Sequence, residues 1–283
     1  MTSKKNTLSW SFSRSYRGPL QAVVLDWAGT TVDYGCLSPT AVFLEVFRKR
    51  GVEITLEEAR GPMGAHKKDH IRALSRMESV ASRWRAAHGK PCTEEDVDAM
   101  FREFVPMQVA CLADYAALIP GTLEAVQDFR RRGLRIGTST GYTSEMMEVL
   151  VPEARMRGYE PDFIACASDV PCGRPAPWMF YKNAMALGVY PMESLVKIGD
   201  TVADVEEGLN AGAWTIGVTK SGNEVGLTEK EVAALSPAEL RTRLERAEAK
   251  LYKSGAHFVV EGIWAVGPVL DEISARLKHG ERP

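Results

Sequence analysis

The stretch that decides the fold runs Val23-Val24-Leu25-Asp26-Trp27-Ala28-Gly29-Thr30-Thr31-Val32-Asp33. Aliphatic and β-branched residues stop abruptly at a carboxylate, and small residues with a glycine follow, as when a buried parallel strand runs out into a loop. Asp26 is thereby expected at the carboxyl end of a strand, the edge where open α/β sheets bind ligands. Taken alone, Asp-x-x-Gly reads equally as a helix cap. Outward from here the design recurs. Leu195-Val196-Lys197-Ile198-Gly199-Asp200-Thr201-Val202-Ala203-Asp204 is another apolar strand ending in a carboxylate, with a second carboxylate four residues on. Ile136-Gly137-Thr138-Ser139-Thr140-Gly141 is a strand ending in hydroxyls, and Gly173-Arg174-Pro175-Ala176-Pro177 supplies a basic loop.

In their order and domain-scale spacing these four stretches resemble the motifs of the haloacid dehalogenase superfamily of aspartate-nucleophile phosphotransferases. The resemblance implies an α/β fold, a doubly wound parallel Rossmann-like core with an inserted α-helical cap after the nucleophile loop. The rest of the chain reads the same way. Ser38-Pro39 offers a helix N-cap and first-turn proline, and Val42, Phe43, Val46 and Phe47 form an apolar stripe ending before Gly51. Thr55 with Glu58 is a capping box, a helix carries His66 to Leu74, and Val97, Met100, Phe101 and Phe104 repeat at helical spacing. About eighty residues of consecutive helices interrupt any strand-helix alternation, which resumes at Pro120-Gly121. The expected division is a flexible leader over 1–19, a core of 20–34 and 117–283, and a helical cap of 35–116. Residues 228–251 read as a long charged helix or a pair of helices, with a last short strand at 257–260.

Composition bounds the function classes. The chain has 283 residues, 45% of them hydrophobic, enough for one large domain or a core with a smaller one. With 35 basic and 37 acidic residues the net charge is −2, so no global field recruits nucleic acid or an anionic membrane. Five cysteines, at 36, 92, 111, 166 and 172, lack zinc-site spacing and read as free thiols of a reducing cytoplasm. The first twenty residues hold no apolar run suited to a signal peptide, and no stretch reaches the length of a membrane span.

A carboxylate accepts a phosphoryl group only when the charges of both are neutralised. Asp26 and Asp200 end strands expected to be neighbours, so with a backbone carbonyl near Ala28 they suit an octahedral Mg2+. Thr140 and the N–H of Gly141 suit phosphate oxygens, helped by the following helix N-terminus, although such dipeptides are more often only turns. Arg174 corresponds to the basic residue of the superfamily's third motif, which holds the acyl phosphate's charge. Asp204 reads as a group orienting that cluster rather than as a ligand, and both Asp200 and Asp204 also read as caps of the helix at 202.

Phosphatases of the superfamily carry a second aspartate two residues past the nucleophile, where this chain has Ala28. Alanine donates no proton to a leaving alkoxide, so hydrolysis of an ordinary phosphate ester is a poor expectation. The cap segment Met63-Gly64-Ala65-His66-Lys67-Lys68-Asp69-His70 sets Lys67 and His70 three apart, on one helical face. A lysine desolvated under a lid becomes a nucleophile toward carbonyls, with an imidazole beside it to move protons; a solvated helix lysine is the commoner case. The runs at 26–36, 62–70, 140–143 and 173–179 resemble those of the phosphonoacetaldehyde hydrolase family over nearly the whole chain beyond the leader. That resemblance implies a Lys67 Schiff base with the substrate aldehyde, attack of Asp26 on phosphorus, Mg2+, and a role in 2-aminoethylphosphonate degradation. It also implies supporting contacts from Cys36, Met63 and Tyr142, a small-molecule partner and a homodimer. The apolar face of the helix at 42–47 serves either a dimer or packing within the cap. A haloacid-type dehalogenase, which also lacks the acid at position 28, is the competing enzyme; Asp200 argues against it, as a metal serves phosphate rather than a haloacid.

Overall fold

Val23, Val24 and Leu25 are fully buried because strand β1 (Ala22–Leu25) has neighbours on both edges and helices on both faces. The computed structural model describes residues 14–283. Besides β1, its sheet contains β2 (Arg135–Thr140), β3 (Phe163–Cys166), β4 (Leu195–Gly199), β5 (Trp214–Val218) and β6 (Phe258–Val260). All pairings are parallel, and the order is β3-β2-β1-β4-β5-β6. The chain winds one way from β1 through β2 to β3 and the other way from β4 to β6. The carboxyl ends of β1, β2 and β4 therefore meet at a topological switch point. This is the doubly wound α/β core expected from the alternation.

After β1 comes a helical insert of five α-helices: α1 (Leu37–Arg48), α2 (Leu56–Arg60), α3 (Lys67–Arg76), α4 (Glu78–His88) and α5 (Glu94–Cys111). The two linkers joining this helical insert to the core run side by side, Asp33 N–H donating to Ala117 O at 3.2 Å and Ile119 N–H to Thr31 O at 2.9 Å. Helix α6 (Thr122–Arg131) leads into β2, and after β2 come α7 (Ser144–Met156), α8 (Trp178–Leu187), α9 (Val202–Ala211), α10 (Glu229–Ala234), α11 (Pro237–Lys253) and α12 (Val266–His279).

Several local expectations are corrected. Ser38 is not the N-cap of α1; Cys36 holds that position in the left-handed region at φ 52, and Ser38 is buried as the second residue of the helix. The cap bonds come from Asp33, whose carboxylate accepts from Leu37 and Ser38 N–H at 3.1 and 3.0 Å. The charged stretch at 228–251 is a pair of helices because Ser236-Pro237 restarts it, each half with its own capping box. α12 was missed, although Val266, Leu270, Ile273 and Leu277 form its buried stripe. The apolar face of α1 is consumed inside the insert, Phe43 stacking on His70 and meeting Phe104, and Phe47 meeting Trp84. That face is therefore not available to a second copy. Of the expected leader, residues 1–13 lie outside the described residues; beyond them, the Tyr16 hydroxyl donates to Pro19 O at 2.8 Å and accepts from Gln21 at 3.1 Å.

Glycines allow the insert to rest on the core. A Cβ on Gly141, just past β2, would meet the Ala65 and Gly64 carbonyls at 2.6 and 2.8 Å. Gly64, at φ +90, faces Thr201 Oγ1 and has Ala203 Cβ 3.0 Å from where its own Cβ would stand. Gly51 has a similar φ of +69 but nothing within 4 Å. Both Gly64→Ala and Gly51→Ala carry the left-handed strain; only the first also collides with the core. Hydrogen exchange over residues 62–70 is expected to accelerate about tenfold in Gly64→Ala, equivalent to about 1.4 kcal/mol of lost closure. Gly51→Ala leaves that segment unchanged, and equal rates in the two variants would contradict the contact.

Candidate active site

Asp26 follows β1 directly, its N–H bonded to Ile198 O of β4 at 2.9 Å, which extends the ladder one residue past the strand. Asp200 follows β4, and pairing of β1 with β4 sets the two carboxylates side by side, as expected. Asp200 accepts from Thr30 Oγ1 at 3.1 Å and Asn223 N–H at 2.7 Å, and Cβ atoms on Gly29 or Gly222 would run into it. Thr201 caps α9, and Asp204 closes that capping box while its other oxygen lies 2.9 Å from Arg174 and 2.7 Å from Lys197. Asp204 thus completes the capping box from the third helical position and also contacts Arg174 and Lys197. Arg174 is fully buried and reaches Asp26 at 2.8 Å, Asp204 at 2.9 Å and Glu207 at 3.0 Å.

The electrostatics show a shortage of positive charge. Burial pushes Asp26 above the usual carboxylate range, with the Asp204 charge adding to it and Arg174 and Lys197 opposing. Burial, then the charges of Asp26 and Asp204, push Asp200 well up. Burial also acts against Asp204, but Arg174 and Lys197 outweigh it and hold its carboxyl below the ordinary value. Ligand oxygens of Asp26, Asp200 and Asp204 lie within 4.8 Å of one another. Among the described residues of the core, Asp26, Asp200, Asp204 and Glu207 set four carboxylates against the two cations Arg174 and Lys197, and the donors are all hard oxygens. The clustered carboxylates of Asp26, Asp200 and Asp204 fit a hard divalent cation.

The insert brings a third cation. Lys67 opens α3, yet it is 3% exposed because α3 lies against the core. Its Nζ stands 4.9 Å from the centre of the Tyr142 ring and 5.7 Å from that of Phe43. Burial lowers its pKa to about 8, against smaller opposing effects of Cys36, Asp26 and Asp33. Asp26, Ala28, Cys36, Met63, Lys67, Thr140, Gly141, Tyr142 and Arg174 together line one cavity of ≈ 20 Å³, room for about one water. Nine of the sequence-selected residues thus converge on a single closed space. The larger groove of ≈ 600 Å³ beside Tyr34, Leu240 and Trp264 gathers only Lys220 and Glu229 as charged groups.

His70 is placed differently from the expectation of a cavity imidazole. It is fully buried behind Lys67, stacked on Phe43 at 3.7 Å between ring centres, with Nε2 2.9 Å from Ala59 O. That contact assigns the proton to Nε2, and burial pushes the ring well below the ordinary histidine value. Thr140 Oγ1 accepts from Tyr142 N–H at 3.2 Å, a turn contact, while still lining the cavity. His66 is the half-buried N-cap residue of α3, 3.7 Å from Asp69 and 5.4 Å between ring centres from Phe101. Lys197, Glu207 and Ser139 were missed. The available signal was a lysine in a strand apolar on both sides, which no solvent can reach.

Residues 20–212 match the family of haloacid dehalogenase-like hydrolases, the class that the switch-point carboxylates and helical insert define. A phosphonoacetaldehyde hydrolase-like protein of Syntrophobacter fumaroxidans is 57% identical over 274 residues, 96% of this chain and 99% of that one. A phosphonoacetaldehyde hydrolase of Bacillus cereus is 51% identical, over 90% of this chain and 96% of its own. The crystal structure of a phosphonoacetaldehyde hydrolase-like protein from Oleispira antarctica superposes with a TM-score of 0.94 at 38% identity, covering 98% of this chain and 100% of the other. The chain belongs to the phosphonoacetaldehyde hydrolase family of haloacid dehalogenase-like hydrolases. None of its described helices is long and apolar enough to cross a membrane.

The burial of Lys67 has a direct spectroscopic consequence. Its 13Cε resonance is expected to titrate with a midpoint near 8, against about 10.4 for an ordinary lysine. A midpoint in the ordinary range would contradict the packing of α3 on the core.

Proposed function

We propose that this enzyme hydrolyses the carbon–phosphorus bond of phosphonoacetaldehyde to acetaldehyde and phosphate. The observation that carries the reading is a buried lysine of lowered pKa sharing one closed cavity with a strand-end aspartate and an arginine, while position 28 holds alanine. The names of relatives at 50–57% identity support it. A carbanion leaves phosphorus only if its electron pair is drained elsewhere, and no acid at position 28 would achieve that.

Lys67 Nζ, unprotonated, adds to the aldehyde carbon, the adduct takes up a proton from solvent and loses water, and an iminium is left two atoms from phosphorus. An Asp26 carboxylate oxygen attacks phosphorus, the carbon–phosphorus pair moves into the iminium, and the carbon fragment leaves as an enamine on Lys67. Arg174, 2.8 Å from Asp26, offsets charge on the transferring group, and Thr140 with the Gly141 N–H receives its outer oxygens. Mg2+ held by Asp26, Asp200 and the Ala28 carbonyl would supply the remaining neutralisation of carboxylate and phosphonate. Protonation of the enamine and addition of water free acetaldehyde and Lys67; a second water cleaves the aspartyl phosphate. Cys36, Met63 and Tyr142 wall in the amine and keep it desolvated. His70, neutral and stacked behind, holds α3 in register rather than carrying a charge.

A cavity of ≈ 20 Å³ admits no substrate, so the helical insert of 35–116 serves as a lid that opens at its paired linkers and shuts for chemistry. The substrate follows from loss of the amine of 2-aminoethylphosphonate. A dimer, implied by the family likeness, would have to use a surface other than the buried face of α1.

Borohydride added with phosphonoacetaldehyde is expected to fix the two-carbon fragment on Lys67, and Lys67→Arg to lose roughly 10³-fold or more in phosphate release. Asp26→Asn keeps the trapped adduct and loses phosphate release. Normal turnover by Lys67→Arg would refute the reading. Chelation is expected to stop phosphate release, with recovery on adding Mg2+. Only the neutral amine reacts, and its fraction grows as pH rises through about 8. The rate of trapping should therefore climb between pH 6 and 9 and level off above, whereas a falling rate would contradict the lowered pKa.

A further inference from the structure

Behind the cavity lies a set of buried charges that the chemistry above leaves without a task. Glu207 is fully buried on α9, one turn past Asp204 and on the same helical face. Its Oε2 accepts from Ser139 Oγ at 2.7 Å and Arg174 Nε at 3.0 Å, and lies 3.3 Å from Lys197 Nζ. Lys197, 1% exposed at the centre of β4, also donates to Ser139 Oγ at 3.0 Å and meets Asp204 at 2.7 Å. Neither residue lines the cavity, and a buried ion pair of this kind is poor evidence for stability, since apolar replacements often serve a core as well.

We propose that Glu207 and Lys197 are positioning residues for phosphoryl transfer, acting through Arg174; this rests on the reading of Asp26 as phosphoryl acceptor. A guanidinium has a fixed planar fork, and here each nitrogen has its own carboxylate: Nε on Glu207, one terminal nitrogen on Asp204, the other on Asp26. Glu207 fixes the rotation of that plane from behind, with the Ser139 carbonyl and hydroxyl bracing the nitrogen that faces Asp26. Lys197 has the complementary task. Arg174 alone would divide one positive charge among three carboxylates, whereas Lys197 shares the load of Asp204 and Glu207 and so leaves more of the Arg174 charge for Asp26 and the group it receives. The contacts join β2, the loop at 173–177, β4 and α9, so a displacement in any of them would turn the guanidinium.

Three variants, Glu207→Gln, Lys197→Met and the two combined, test this by two readouts on each folded protein: single-turnover phosphate release, and borohydride trapping of substrate on Lys67. Each single change is expected to slow phosphate release roughly 10²-fold or more, while the trapped yield stays within about twofold, because Lys67 sits on another element. The double variant should be faster than the product of the two single losses, since removing both charges leaves neither uncompensated. Should Glu207→Gln fail to fold, Glu207→Asp keeps the charge but withdraws it from Nε and should show the same selective loss. Unchanged phosphate release, trapping that falls in step with release, or strictly multiplicative losses would each overturn the proposal. Absence of trapping in the unaltered protein would overturn the Lys67 reading alone, and the phosphate-release comparison would still decide Glu207 and Lys197.

Discussion

Taking an amine out of water next to uncompensated carboxylates is the constraint on which the rest of this structure depends. Lys67 is an ordinary helix-opening residue by sequence, and in solvent it would be an inert ammonium at neutral pH. Placing its Nζ between the faces of Tyr142 and Phe43, in a space of one water, lowers its pKa to about 8. The aromatic faces partly favour the ammonium, and burial outweighs them. The lowered pKa therefore depends on the contact between the start of α3 and the core.

The core supplies the opposite condition. Strand ends at the switch point bring Asp26, Asp200 and Asp204 together, and the short fixed donors around them, Thr30, Asn223 and Thr201, leave the negative charge largely uncancelled. Arg174 and Lys197 compensate half of the buried carboxylate charge. That imbalance is costly for folding, and a bound divalent cation would offset it. Gly64 and Gly141 matter for the same reason: without side chains there, lid and core approach closely enough to exclude water from both halves.

Much of the core was legible in the sequence because buried parallel strands are written as continuous apolar runs, and those at 22–25, 195–199 and 214–218 end where the pattern breaks. The insert was legible as a failure of alternation. The start of α1 was not, because its cap comes from Asp33 across a left-handed turn at Cys36, a conformation that residue types do not announce. His70 was placed on the correct face by helical spacing, but spacing says nothing about what the other elements put in front of it; Phe43 decides that. Lys197 and Glu207 were invisible as a pair because strand end, loop and helix over residues 198–206 separate them, and only the packing of α9 on β4 brings them into contact.

The central claim is that one shut cavity holds the amine and the phosphoryl acceptor on opposite sides of a single small substrate. A crystal structure of the borohydride-reduced adduct tests it most directly. The account predicts a secondary amine at Lys67, with phosphorus about 3–3.5 Å from an Asp26 carboxylate oxygen and in line for attack. A reduced adduct whose phosphonate points away from Asp26, with the lid closed over the core, would contradict it.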